Sequence, residues 1–177
     1  MKKNKNDFRW IIRIIIFAFI LSSIFTLISE VMIPNVNILF GIILTVLFIF
    51  IGVVFDMIGV AVTAADISPI NSMASKKMKG TKVAIKLKQN AEKVSSFSND
   101  VIGDICGIIS GSTGAVIAIK ISQLNNNCNP LLITVITMAI ISALTIGGKA
   151  LTKSFAINNS DKILYRVSKI ISIFYRR

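Results

Sequence analysis

The chain contains 177 residues, of which 54% are hydrophobic and only 16% are charged. Globular domains average about 45–50% apolar and about 25% charged residues, so this composition excludes an ordinary soluble domain and indicates that lipid is part of the solvent. The net charge of +12 in so apolar a chain favours a membrane surface over nucleic acid as the partner of the basic residues.

Four apolar segments predict four transmembrane helices, because each is near or above the roughly 20 residues that cross a bilayer. The first segment follows several lysines, as in a signal peptide, but it is too long for one and no A-x-A-like cleavage site follows Glu30. We therefore predict an uncleaved first helix and an all-α integral membrane protein. The four segments cover about residues 9–29, 36–65, 97–121 and 130–151.

Two polar turns are predicted between these helices. Pro34 marks the turn between the first two, and the run Asn125 to Asn127 with Pro130 marks the turn between the last two. Basic residues cluster instead at the N-terminus, in the middle segment 66–96 and in the tail. The positive-inside rule places all three basic regions on one side, so both termini of this multi-pass protein are expected on the cytoplasmic side of the cell membrane.

The middle segment 66–96 predicts helices that lie along the membrane surface. Ser68 is expected to be an N-cap with Pro69 at the first helical position, and Gly80 is expected to separate two helices. Apolar residues recur at helical spacing after Gly80 with lysines on other faces, and the basic tail 156–177 repeats the pattern. Such amphipathic helices contact anionic headgroups, either as a solvated face without regulatory meaning or as a brace for the helix bundle.

Charged residues within the apolar spans are the candidate functional residues, because each costs a few kcal/mol at the bilayer centre unless it is paired or hydrated. Asp56 and Asp104 are expected at comparable depth, and Asp100 lies one helical turn from Asp104. Lys149 either extends to the membrane interface or pairs with an aspartate. The carboxylates therefore either form a structural ion pair with Lys149 or line a cavity that binds Mg²⁺ or Na⁺ through oxygen ligands.

Small residues in the third span predict a close contact between helices. Gly103, Gly107 and Gly111 form two overlapping small-xxx-small motifs, which allow another helix to approach closely. The motif fits tight packing within one chain and the interface of a homodimer equally well.

Enzymatic function is not expected from this sequence. Histidine, the commonest general base, is absent from the chain. The sequence also has no Gly-x-Ser-x-Gly elbow and no phosphate-binding loop. We therefore predict a membrane protein that is not an enzyme.

Two motifs between residues 50 and 175 resemble elements of one family of membrane proteins. In the first, Gly80 opens a K-x-A-x-K-L helix, Asn90 ends it, and Ile102-Gly103 opens the next span, within the string SKKMKGTKVAIKLKQNAEKVSSFSNDVIGDI. The second motif is GKALTKSFA at 148–156. Both are similar to the CNNM/CorC (CorB) family of magnesium transporters, whose last membrane helix ends in a G-E-x-x-P-K-x-x-A element.

The resemblance implies a membrane domain of three helices with a juxtamembrane helical belt, usually dimeric, that holds a dehydrated Mg²⁺ between its helices. The family's ion site uses a serine, an asparagine and a glutamate with backbone carbonyls. In this chain Asp56 stands at the position of the serine, Asp104 at that of the asparagine and Lys149 at that of the glutamate. Because protonated lysine cannot bind a metal, Lys149 is expected to act as a gate or counter-charge, or else the ion and its coupling differ from the family's.

The resemblance also predicts the domain organisation. Residues 1–35 are expected to add an N-terminal helix and hairpin, 36–155 to form the CNNM/CorC-like domain, and 156–177 to form a cytoplasmic tail, without the family's nucleotide-binding regulatory domains. The predicted function is homodimeric transport of Mg²⁺-like divalent cations. The alternative is a non-transporting structural or regulatory membrane protein in which the three intramembrane charges form a buried ion pair.

Overall fold

The fold is all-α, as the sequence predicts. The computed structural model describes residues 5–32, 37–124 and 129–174, and no strand occurs within these ranges. Four helical segments in this part of the chain are long and apolar enough to cross a membrane, namely Phe8–Ser29, Ile38–Ala64, Ala91–Leu124 and Pro130–Asn158. The helices are α1 (Lys5–Met32), α2 (Ile38–Ala64), α3 (Ile67–Ser75), α4 (Thr81–Gln89), α5 (Ala91–Ser96), α6 (Asp104–Leu124), α7 (Pro130–Asn158) and α8 (Ser160–Phe174), and a π-helical segment (Phe97–Gly103) joins α5 to α6.

The helices extend beyond the apolar segments that predict them. The third span starts at Ala91, several residues before its apolar stretch, because backbone hydrogen bonds continue a helix past the end of its apolar pattern. At the start of α7 the Asn129 side chain accepts a hydrogen bond from the Leu131 amide at 3.0 Å, and Pro130 takes the first helical position, where no amide donor is needed. The turns predicted at Pro34 and at Asn125 to Asn127 lie outside the described residues.

The chain divides into two compact units, and the first is a bundle of long apolar helices. It comprises Met1–Gly52 and Asp104–Ile146, and the second comprises Val53–Gly103 and Gly147–Arg177. Within the first unit α1 packs against α6, and the rings of Phe25 and Phe48 meet edge to face with 6.4 Å between their centroids. Many isoleucine, leucine and phenylalanine side chains of these helices are exposed, as expected of surfaces that contact lipid.

The second unit has a small apolar core where the end of α2 meets three short helices. One residue each from α3, α4 and α8 packs there against two residues at the end of α2, and all five are buried. Burying one large aliphatic side chain stabilises a structure by about 1.5–3 kcal/mol, so this cluster holds the short helices against α2. Its members are Val62, Ala65, Ile70, Ala84 and Leu164.

The helix α3 begins at Ile67 with Asp66 as its N-cap, so the prediction that Ser68 caps this helix is wrong. The Asp66 carboxylate accepts a hydrogen bond from the Ser68 amide at 3.3 Å, and aspartate caps a helix as well as serine does. The amide of Asp66 donates in turn to the Asp161 carboxylate at 2.8 Å. The first turn of α8 therefore fixes the turn between α2 and α3.

Contacts at both ends hold α4 in place. The Lys88 ammonium donates to the backbone oxygens of Thr63 at 2.8 Å and Val62 at 3.4 Å, in the last turn of α2, where carbonyls lack intrahelical donors. Gly80, the N-cap of α4, has a φ of 89°, which favours glycine. A Cβ at Gly80 would lie 3.0 Å from the Lys169 Cα, so glycine also permits the close approach of α8.

The helix α8 is amphipathic, but only its first half is covered by the rest of the second unit. Ile163, Leu164 and Ser168 are buried, whereas Ile173 and Phe174 are 70% and 86% exposed. The last turn of α8 thus presents large apolar side chains that no described residue covers.

Candidate cation site

Asp56 on α2 and Lys149 on α7 form an ion pair inside two apolar helices of the second unit. The Lys149 Nζ lies 3.9 Å from the Asp56 Oδ1, near the upper limit for an ion pair, and the side chains are 27% and 17% exposed respectively. The sequence predicts four charged residues at the site, and the structure brings two of them, Asp56 and Lys149, together.

Gly148 allows α7 to approach α2 at this point. A Cβ at Gly148 would lie 2.9 Å from the Val53 Cγ2, closer than real side chains tolerate. Val53 lies three residues before Asp56, on the same face of α2, and Gly148 directly precedes Lys149. The close helix contact thus fixes the two backbone segments that carry the ion pair.

Asn99 is a further polar residue that lies against α2. Its Nδ2 donates to the Ser95 Oγ at 3.4 Å, whereas its Oδ1 is buried and accepts no hydrogen bond from any described residue. A Cβ at Gly59 would overlap the Asn99 amide, so the side chain occupies space that only glycine leaves on α2. A buried oxygen without a donor costs about 1–3 kcal/mol, which makes it a candidate ligand for water or a cation.

Asn99 and Asp56 meet the same face of α2. Gly59, which the Asn99 amide covers, lies three residues after Asp56. Three residues correspond to nearly one helical turn and about 4.5 Å of rise. The Asp56 carboxylate and the place where the Asn99 amide oxygen meets α2 are therefore about one helical turn apart along α2.

The backbone around Asn99 is π-helical rather than α-helical. The segment Phe97–Gly103 buries Ser98, Val101 and Gly103. π-Helical turns are rare and frequently occur at functional sites, and irregular backbone at membrane depth is tolerated only where protein buries it or it lines a cavity. The π-helical segment that carries Asn99 is therefore a candidate part of the site.

Asp100 and Asp104 are both exposed. Asp100 lies in the π-helical segment, whereas Asp104 is the first residue of α6. Four residues are close to one turn in a π-helix as well as in an α-helix, so the alignment of these two aspartates on one face stays a prediction. Within the described residues no group of three or more His, Cys, Asp or Glu side chains could hold a metal ion, so any bound cation would depend largely on neutral oxygens. The assignment of Asp56, Asp100 and Asp104 as metal ligands remains a prediction.

The glycines of the third span have unequal surroundings. Gly103 is buried, and a Cβ at Gly114 would overlap the Ile141 side chain. At Gly107 and Gly111, by contrast, no described residue outside the local helix comes within 4 Å of a Cβ. The small residues of this face thus pack tightly within the first unit at Gly114 and leave open space at Gly107 and Gly111.

The sequence contains a signal that could have identified Asn99. Asn99 has a polar amide within an apolar span, where polar side chains are rare unless they form hydrogen bonds to another helix. A glycine on the facing helix, such as Gly59, is the complementary signal for close approach. The two signals are weak separately and become specific only when the structure brings them together.

The described helices and their intramembrane charges define a multi-pass α-helical membrane protein. The model of the CNNM family, described as the cyclin M transmembrane N-terminal domain, matches residues 42–176. The match covers most of the chain, and the chain belongs to this family, which confirms the predicted resemblance. No curated protein and no solved structure matches the chain.

Proposed function

We propose that this protein carries divalent cations of the Mg²⁺ type across the membrane. The CNNM domain family is associated with divalent cation transport. The observation that supports this function here is the Asp56–Lys149 pair together with the unpartnered Asn99 oxygen, which covers α2 about one turn from Asp56. An intramembrane ionisable residue marks an ion pathway more often than it serves packing alone. Transport rather than enzymatic catalysis is the activity that we assign.

In this proposal Asp56 supplies an anionic ligand, and the predicted ligands Asp100 and Asp104 are tested separately. The Asn99 Oδ1 supplies a neutral oxygen, and Mg²⁺ commonly retains several waters while it binds one or two carboxylates. A site with one carboxylate and neutral oxygens suits a transported ion, which must leave as readily as it enters. Na⁺ accepts the same oxygen ligands and is the second cation that we would test.

Lys149 acts as a competing cation in this proposal. Its ammonium lies 3.9 Å from the Asp56 carboxylate. A divalent ion that binds Asp56 must displace it, and the long lysine side chain can move toward the membrane interface. Lys149 thereby keeps Asp56 neutralised until an ion arrives.

A non-transporting function is the second candidate, and the same ion pair supports it. The Asp56–Lys149 contact neutralises both charges without any ion. Intramembrane charges that pair with one another can serve helix packing alone. Binding experiments distinguish the two functions.

Divalent cations are expected to stabilise the detergent-purified protein in a way that depends on Asp56. A ligand bound only by the native state at about 100 times its Kd adds about 2.7 kcal/mol, which for a protein of this size raises the apparent Tm by roughly 5–11 °C. We expect this shift with Mg²⁺ and Mn²⁺ in the wild type, and its loss in Asp56→Asn and in Asn99→Ala. The shift is read by thermal melting, and Mg²⁺ flux into proteoliposomes that contain an entrapped indicator is expected to disappear in the same variants.

The matched control is Glu92→Gln, which removes one exposed carboxylate from α5 of the same unit. Glu92→Gln should retain the Tm shift that Mg²⁺ produces in the wild type.

The same Tm measurement on Asp100→Asn and Asp104→Asn determines whether these aspartates contribute ligands. If no cation stabilises the wild type and none enters the vesicles, transport is ruled out and the ion pair is structural.

We infer that two copies of the chain associate through α6. The open space at Gly107 and Gly111 would accept a second helix, and lipid tails alone do not favour small residues there. We also infer that the dimer lies in the cell membrane with both termini cytoplasmic, as the basic segments suggest.

Gly111→Ile is expected to convert the dimer to a monomer without loss of helix content. The added side chain points into space that is open within one chain but would be filled by the partner. Light scattering in detergent would measure a protein mass of one 19.3 kDa chain instead of two. Gly114→Ala is the contrasting variant, because its Cβ meets Ile141 within the same chain and should lower stability rather than change the mass. A wild-type mass of one chain would contradict the inference.

A further inference from the structure

A basic cavity lies at the turn between α3 and α4, away from the candidate cation site. It has a volume of about 610 Å³, within the roughly 300–1,000 Å³ of typical ligand sites. Lys77, Lys79 and Lys82 line it, together with Gly80 and with Ser172 from α8. A second cavity of about 530 Å³ shares three of these residues and adds Ile173.

The charge around this cavity is of one sign. Between Asp66 and Glu92 the chain contains six lysines and no acidic residue. Lys77, Lys79 and Lys82 are all exposed and all line the cavity, so each is accessible to a ligand there. Such a surface attracts an anionic group.

The backbone of the turn is held by specific contacts. The amide of Lys77 donates to the Ala74 oxygen at 2.9 Å, and the Thr81 hydroxyl donates to the Met78 oxygen at 2.8 Å. Gly80 at φ 89° places the start of α4 directly against α8. The three lysines therefore extend from a fixed backbone.

Exposed apolar side chains border the lysines. Ile170, Ile173 and Phe174 on α8 are 58%, 70% and 86% exposed, and Met78 lies in the lysine turn itself. A surface with large apolar residues next to lysines is typical of elements that insert into the boundary between headgroups and acyl chains. A soluble anion would leave these apolar residues in water.

The cavity lies close to the end of a membrane span. Lys88 at the C-terminal end of α4 binds the Thr63 oxygen at the end of α2. The helix α4 contains nine residues, or about 13 Å of helix, so the lysine turn lies one length of α4 from this contact. A headgroup layer occupies only roughly 5–8 Å on each side of the hydrocarbon core, so the lysine turn lies at headgroup depth when α4 runs along the membrane surface, as its sequence predicts.

We propose that this cavity binds the phosphate of an anionic lipid headgroup, with the acyl chains against the last turn of α8. A free phosphate ester carries the same phosphate group as the lipid. Only the lipid also has acyl chains that can cover the apolar residues beside the cavity. The site is independent of the cation function, since none of its residues belongs to the cation site.

The test compares lipid binding by native mass spectrometry of the full chain in detergent. The probes are dioleoyl phosphatidylglycerol, dioleoyl phosphatidylcholine and glycerol 3-phosphate. Each lysine near an anionic surface contributes roughly a five-fold gain in affinity. We expect phosphatidylglycerol to bind in preference to phosphatidylcholine, and Lys79→Gln/Lys82→Gln to weaken its binding about tenfold or more.

The matched control is Lys153→Gln/Lys162→Gln, which removes the same charge from exposed positions that do not line the cavity. It should bind phosphatidylglycerol as the wild type does. Lys79→Arg/Lys82→Arg should retain binding, which excludes misfolding as the cause of a loss. Equal losses in the test and control variants, or no preference for phosphatidylglycerol, would overturn the site. Competition by millimolar glycerol 3-phosphate would overturn the lipid as its ligand.

Discussion

Lys149→Met is expected to lower the free energy of unfolding by about 2 kcal/mol, because it leaves the Asp56 carboxylate unpaired within apolar helices. Breaking a fully buried ion pair costs about 3–5 kcal/mol, and the partial exposure of these side chains and their long separation reduce the effect. For a chain of this length, the loss corresponds to a fall of roughly 4–8 °C in the apparent Tm. Thermal melting in detergent without divalent cations measures it.

The double variant Asp56→Asn/Lys149→Met should restore stability to within about 1 kcal/mol of the wild type, since neither charge then lacks a partner. Lys153→Met is the matched control, because Lys153 lies one turn further along α7 and is exposed. A change of about 0.5 kcal/mol or less is expected there. If Lys149→Met melts like the wild type, the ion pair does not contribute to folding.

Gly59→Ala is expected to lower the free energy of unfolding by about 1–3 kcal/mol, because the new methyl group would overlap the Asn99 amide. The Asn99 side chain must then rotate away from α2 and give up its hydrogen bond to Ser95. The same displacement removes its oxygen from the neighbourhood of Asp56. Thermal melting should therefore record a lower apparent Tm together with a loss of stabilisation by Mg²⁺.

The rescue variant for this prediction is Gly59→Ala/Asn99→Ala, which removes the overlapping amide. It should recover most of the lost stability but not the response to Mg²⁺, because the amide oxygen is gone. Gly147→Ala is the control, since no described residue outside the local helix comes within 4 Å of a Cβ there. Alanine in an open helical position is neutral or stabilises by up to about 1 kcal/mol. Equal melting of Gly59→Ala and Gly147→Ala would show that Asn99 does not need the space at Gly59.

The membrane spans and the position of Gly80 could be predicted from sequence because each depends on local information. Lipid requires about 20 consecutive apolar residues per helix, which any single chain displays. A glycine between two amphipathic patterns similarly indicates a break, and Gly80 takes the left-handed conformation that this role requires. The charges at Asp56 and Lys149 were conspicuous for the same reason, since apolar spans seldom contain them.

The features that could not be predicted depend on contacts between distant residues. An α-helix and a π-helical segment carry the same apolar pattern over seven residues, so nothing local separates them at Phe97–Gly103. Aspartate and serine cap helices equally well, and Asp66, which caps α3, also donates its amide to the carboxylate of Asp161, a residue distant in sequence. The role of Asn99 depends likewise on Gly59 in another helix.

The ammonium of Lys88 makes α2 and α4 mechanically dependent on each other. Asp56 lies seven residues before Thr63, two helical turns or about 10 Å along the same helix. A rotation or axial shift of α2 at Asp56 must therefore either break the bonds from Lys88 or move α4 with it. The end of α4 that carries the lysine turn would then move as well, so any shift of α2 at Asp56 that moves α4 would also displace positive charge at the end of the span.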